Sequence, residues 1–266
     1  MIGIVTDSNS QIPPDLAARL GIEVVPLTVT VDGVAHQEGV DLDADDFYAR
    51  FESGAKPQVA TSQPSPGAFA AAYERLAAAG ADAIVSVHIG SAISGTVNSA
   101  RLAAAGSPVP VRIVDTGTAS FAVAFCAWEA AEAAAHADAT VDDVVAAAER
   151  VSGVVSNVFV VRALDLARAG GRLATDPHPE SDEPPAAIPV LTLAGGTMRP
   201  IGHASDVDQA ARIMADHVRA SGTSLRVGVG VADAGTLPMV EAVEALLRDA
   251  PEVRELIRYR IGPSVG

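Results

Sequence analysis

Lysine and cysteine are almost missing from this sequence. Lys56 is the only lysine among 18 basic residues. A P-loop ammonium or a Schiff base would therefore fall on Lys56. That residue lies in the polar stretch Glu52-Ser53-Gly54-Ala55-Lys56-Pro57 and reads as a solvated loop side chain. Cys126 is the only cysteine, which excludes an internal disulfide and a Cys-x-x-Cys zinc or redox pair. Its neighbours, Phe121 to Trp128, are apolar, and it reads as a small buried residue on a helix. The opening Met1-Ile2-Gly3-Ile4-Val5-Thr6-Asp7 reads as a strand rather than as a basic leader. No run of 18 apolar residues occurs, since Glu129 and Glu132 interrupt the best candidate. These absences predict a soluble, cytoplasmic protein without stable membrane insertion.

What is there is acidic and apolar. The 266 residues are 49% hydrophobic, enough for a core and for one large or two modest domains. There are 33 acidic residues and a net charge of -15, which repels nucleic-acid phosphates and anionic lipid surfaces. No nucleic-acid partner is expected.

Strand and helix patterns alternate over residues 1–152, which predicts a parallel α/β sheet covered on both faces. Strands are expected at Ile2–Thr6, Glu23–Val31, Ala83–His88 and Val111–Val114. Helices are expected from Pro13-Pro14, over Asp43–Phe51, from Ser65-Pro66, from Ser94, and in two alanine-rich stretches to about Val151. The pattern then changes, and residues 153–266 read as a second α/β domain. It opens with a strand at Val158–Val161 and a short helix ending at Gly170-Gly171, followed by an acidic, proline-rich loop over 175–185. A hairpin around Gly195-Gly196, a helix from Asp206, a strand Leu225–Val231, a helix Leu237–Leu247 and a strand Val253–Ile261 complete it.

In parallel α/β sheets, ligands sit beyond the carboxyl ends of strands, where loops enter helix N-termini. Four segments fit: Thr6-Asp7-Ser8-Asn9-Ser10, Thr61-Ser62-Gln63-Pro64-Ser65-Pro66, Ser91-Ala92-Ile93-Ser94-Gly95-Thr96 and Asp115-Thr116-Gly117-Thr118. The second and third lie in stretches, Pro57–Ala72 and Ala83–Val114, that contain no acidic residue. Hydroxyls and free N–H groups there suit a carboxylate or phosphate without help from lysine. Ser65 reads as a helix cap, while Thr61, Ser62 and Ser94 read equally as caps or ligand contacts. Ser94 lacks a G-x-S-x-G elbow, and a triad on Asp7 needs a histidine that the pattern does not single out. His88 reads as a satisfied core residue or a pocket wall. With no His-Glu-x-x-His, no metal site is expected. His178 with Asp176 and Glu180 reads as solvated charge. Arg172, emerging from a Gly170 C-cap, is placed to reach an anion.

The order Val5-Thr6-Asp7-Ser8, Thr61-Ser62-Gln63-Pro64-Ser65, Ser94-Gly95-Thr96 with Ser99-Ala100, Val114-Asp115-Thr116, and Gly170-Gly171-Arg172 resembles the DegV family. The resemblance spans nearly the whole chain. It implies a two-domain α/β protein holding a long-chain fatty acid between its domains. It also implies that the carboxylate is held by Thr61, Ser62 and Ser94, with the Gly95 N–H as a further donor. Asp7, Ser8, Ser91, Thr96, Asp115 and Arg172 are then pocket or anion contacts. Val158, Val160, Ile188 and Leu191 are apolar candidates for the acyl chain. In some family members the acid is presented to a separate fatty acid kinase. This chain has Ile188-Pro189 where the family commonly has Lys-Pro, and His203-Ala204-Ser205 where it commonly has an arginine, so kinase docking is in doubt. The family usually continues into a His-x-Gly-Pro-Gly segment that closes the head-group site. The sequence stops at Ile261-Gly262-Pro263-Ser264-Val265-Gly266, so weaker carboxylate binding is expected. No cofactor and no catalytic residue are implied. The alternatives are a serine-dependent acyl hydrolase using Ser94, a sugar-phosphate enzyme on a related α/β fold, and a regulatory protein with an empty cleft.

Overall fold

Alternating apolar runs and capping signals build the first sheet. β1 (Ile2–Asp7) leads through α1 (Pro14–Leu20) to β2 (Ile22–Val25). β3 (Thr28–Val31) and β4 (Val34–Gln37) form a hairpin, followed by α2 (Ala44–Ala49) and β5 (Val59–Ser62). Then come α3 (Pro66–Ala78), β6 (Ala83–His88), α4 (Thr96–Ala104), β7 (Val111–Asp115), α5 (Phe121–Ala134) and α6 (Val141–Ser152). This computed structural model describes residues 1–51, 55–160 and 188–265. They divide into two compact units, Met1–Val155 with Arg260–Gly266, and Ser156–Tyr259.

In the first unit the sheet runs β2-β1-β6-β7, parallel throughout. Val5, Val25 and Ile84 on one face bury Phe69, Ala72 and Tyr73 of α3 and Ala100 of α4. The other face is covered by α5 and α6, which also pack on each other. Ser65 caps α3 by accepting the Ala68 N–H at 3.1 Å, as Ser-Pro predicts.

Residues 23–31 are not one strand. Pro26, which has no N–H for a ladder, follows β2, and β3 belongs to a separate antiparallel sheet of order β4-β3-β5. Asp32 and Gly33 both have positive φ, 49° and 84°, in the turn between β3 and β4. β5 carries no expected strand signal, because three of its four residues are exposed.

The second unit holds β8 (Phe159–Val160), β9 (Ile188–Ala194) and β10 (Thr197–Ala204) in the antiparallel order β10-β9-β8. α7 (Val207–Ala220), β11 (Leu225–Val231), α8 (Leu237–Leu247) and β12 (Val253–Arg260) follow, with β11 and β12 paired. Val190, Ala204 and Ala210 form a core with Val158, Ile188 and Ile213. The helix expected before Gly170-Gly171 and the loop 175–185, with Asp176, His178 and Glu180, lie outside the described residues. Among the described residues, no helix is long and apolar enough to cross a membrane.

Candidate functional site

The carboxyl ends of β1, β6 and β7 meet at one edge of the parallel sheet. Asp7 and His88, the last residues of β1 and β6, are both fully buried. His88 Nδ1 lies 2.9 Å from Asp7 Oδ2, and Nε2 lies 2.6 Å from Ser86 Oγ, which is 3.1 Å from the Tyr73 hydroxyl. One placement of protons gives every donor an acceptor: Tyr73 O–H to Ser86, Ser86 O–H to Nε2, and Nδ1–H to Asp7. Burial pushes the Tyr73 hydroxyl up to about 12, outweighing its bond to Ser86, so it remains a donor. The Asp7 carboxylate also accepts the Ile89 and Asn9 N–H groups, each at 3.1 Å.

An Asp–His–Ser chain has the connectivity of a catalytic triad. Here the serine is wholly buried, and Tyr73 occupies its other side. No substrate carbonyl reaches its Oγ, so the chain braces two strand ends rather than activating a nucleophile. Ser94, the nucleophile of the hydrolase alternative, has no histidine partner among the described residues; its Oγ lies 2.9 Å from Thr96 Oγ1.

Above this brace the turns interlock. Gly90 donates its N–H to the Thr118 carbonyl at 2.8 Å. A Cβ on Gly90 would lie 2.7 Å from the Gly117 carbonyl carbon, so only glycine fits. Asp115 Oδ1 accepts the Ser91 N–H at 3.0 Å and the Gly117 N–H at 3.2 Å. Partial burial raises the Asp115 pKa, but these bonds and the charge of Arg101 outweigh it and hold the carboxyl below its ordinary value.

The two hydroxyl segments come together beside these turns. Gly95 is the N-cap of α4, whose first turn contains no acidic residue, so the helix end favours an anion. Ser94 Oγ accepts the Thr96 N–H at 3.3 Å. With the buried Thr96 hydroxyl donating to Ser94, the Ser94 proton is free for a ligand. On the other side, β5 pairs Thr61 with Val29 and Ser62 with Thr28, leaving both side chains exposed. Gln63 extends from this strand onto Gly95, where an added Cβ would approach its Nε2 to 3.0 Å. Thr61-Ser62 and Ser94-Gly95 thus adjoin through Gln63.

The remaining expected contacts are placed differently. Asp7 lies beneath the surface in the brace, and Ser8 turns toward Glu38. Ser91 and Asp115 are exposed on the neighbouring turns, and Arg172 lies outside the described residues. Of the acyl-chain candidates, Val158 and Ile188 pack into the core of the second unit beneath α7, while Leu191 is buried on the alternate face of β9. Gln63, Asn9, Gln11 and Glu38 were not singled out from the sequence. Gln63 and Asn9 had a signal, as members of the Thr61–Pro66 and Thr6–Ser10 segments, while Gln11 and Glu38 had none.

A family model described as "Uncharacterised protein, DegV family" matches residues 1–266. The chain belongs to the DegV family. A DegV domain-containing protein of Streptomyces coelicolor is 35% identical over 266 residues, covering 100% of this chain and 93% of that one. Among solved structures, a DegV family protein from Thermus thermophilus, described for its fatty acid binding, is 32% identical with a TM-score of 0.81. It covers 98% of this chain and 92% of its own. DegV from Bacillus subtilis, described as a fatty acid binding protein, is 26% identical with a TM-score of 0.84, covering 100% and 94%. The parallel first sheet and the α/β architecture are those of DegV structures.

Proposed function

We propose that this DegV protein binds a long-chain fatty acid and holds its carboxylate with Thr61, Ser62, Ser94 and the Gly95 N–H. The contact of Gln63 on Gly95 carries the proposal, because it brings two acid-free hydroxyl segments together at a helix N-terminus. The likeness to DegV structures described for fatty acid binding supports the same ligand class.

Neutral donors suffice on energetic grounds. Burying an acyl chain contributes ~0.8 kcal/mol per CH₂, or about 12 kcal/mol gross for roughly 15 methylenes. The head group then needs hydrogen bonds and orientation rather than an ammonium partner. Presentation to a kinase has no comparable support, since Ile188 and His203 stand where the resemblance expects basic residues. The purified protein, released under denaturing conditions and analysed by mass spectrometry, should yield a fatty acid of about 14–18 carbons or acquire one when it is added. An acyl-free protein that stays so on addition overturns the proposal.

A further inference from the structure

Unit one contains two separate sheets, and the candidate site draws on both: Thr61 and Ser62 stand on the small sheet, Ser94 on the rim of the parallel one. Something must fix their separation. Glu38, one residue beyond β4, is 6% exposed, and among the described residues no cation pairs with it. Its carboxylate instead accepts the Ser8 hydroxyl, the Ser264 N–H at 2.8 Å and Gln11 Nε2 at 3.4 Å. Ser8 Oγ in turn accepts the Leu27 N–H at 2.9 Å, and the Glu38 N–H donates to the Leu27 carbonyl at 3.0 Å. Gln11, held at a positive φ of 57°, accepts the Gly262 N–H through its Oε1 and donates to Ser264 Oγ at 3.2 Å. A Cβ at Gly262 would lie 2.6 Å from Glu38 Oε1, so any side chain there must displace the Glu38 carboxylate.

These bonds join three pieces: the turn after β1, the end of the small sheet, and Gly262–Ser264. Leu27 adjoins Thr28, which stands directly opposite Ser62 on β5. On the other side, Asn9 of the same turn accepts the Ser120 N–H at 2.9 Å and donates its own N–H to Asp7, which braces His88 at the base of the Ser94 turn. We propose that Glu38 is a positioning residue of the head-group site. With Ser8, Gln11 and Ser264 it forms a partly buried clasp that sets the separation between Thr61-Ser62 and Ser94. This rests on the fatty-acid reading above, but the clasp has a readout of its own.

Glu38→Ala and Gly262→Ala are compared with the wild type by amide hydrogen exchange and by binding of palmitate and methyl palmitate. Both variants should speed exchange at 25–28, 59–63 and 262–264, and weaken palmitate binding at least fivefold while leaving the methyl ester unchanged. Glu38→Gln, which keeps an acceptor for Ser264, should restore most of the palmitate affinity. Unchanged exchange at 59–63 overturns the clasp as a joint. Faster exchange with unchanged palmitate affinity, or equal losses for acid and ester, overturns its positioning role. If the wild type binds acid and ester equally, the carboxylate reading fails instead, and exchange at 59–63 still decides the clasp.

Discussion

At the residue scale, the proposed head-group contacts and the buried carboxylate make different demands. Ser94 and Thr61 offer neutral hydroxyls, so each Ala substitution should cost the ~1–3 kcal/mol of leaving a charged partner short of a donor. Titration with a fluorescent fatty acid checks this, and wild-type affinity in both variants rules out the assignment. Glu38 is tested by pH. Burial raises its pKa above 4.5, against the lowering bonds from Ser8, Ser264 and Gln11. A carboxyl whose native pKa is raised holds its proton more tightly folded than unfolded. Its contribution is thus full below the unfolded value and is lost as pH rises through the native one. Glu38→Gln removes that loss, so its melting temperature relative to wild type should climb as pH is raised from 4.5 through neutrality. A constant difference across that range contradicts the account.

At the element scale, the buried chain Tyr73–Ser86–His88–Asp7 ties α3 to β6 and β6 to β1. Ser86→Ala strands both the Tyr73 hydroxyl and His88 Nε2 and should destabilise by about 1–3 kcal/mol. Tyr73→Phe removes only the terminal donor and should cost about 1 kcal/mol or less beyond any packing change. Urea midpoints read at constant slope test that order, and the reverse order would contradict the central place of Ser86 in the chain. Elements with local signals were legible in the sequence: the Ser65-Pro66 cap, the all-apolar β6, and the Gly195-Gly196 turn, where both glycines take positive φ. The hydroxyl segments were legible from their composition. Pairings of distant residues were not. Asp7 and His88 are 81 positions apart, and Glu38 and Ser264 are 226 apart, so no local periodicity links them. β5 escaped notice because its mostly exposed residues lack apolar alternation, and β2–β3 looked continuous because Pro26 is flanked by valine and leucine.

At the scale of the whole molecule, the net charge of -15 sets the approach of the ligand rather than its final contacts. A fatty carboxylate nears an acidic protein against a repulsive field, although the stretches around Thr61 and Ser94 are themselves free of acids. Salt shortens the reach of that field to about 8 Å at physiological ionic strength, while hydrogen bonds inside the site are screened much less. Association should therefore quicken as sodium chloride is raised from about 20 to about 300 mM, with little change in dissociation. The neutral methyl ester experiences no such repulsion, and its association rate should stay nearly constant. Stopped-flow fluorescence with the paired acid and ester measures both. A rate for the acid that falls with salt would mean that it is drawn in by a local positive potential, and the arginines would then have to be sought as its source.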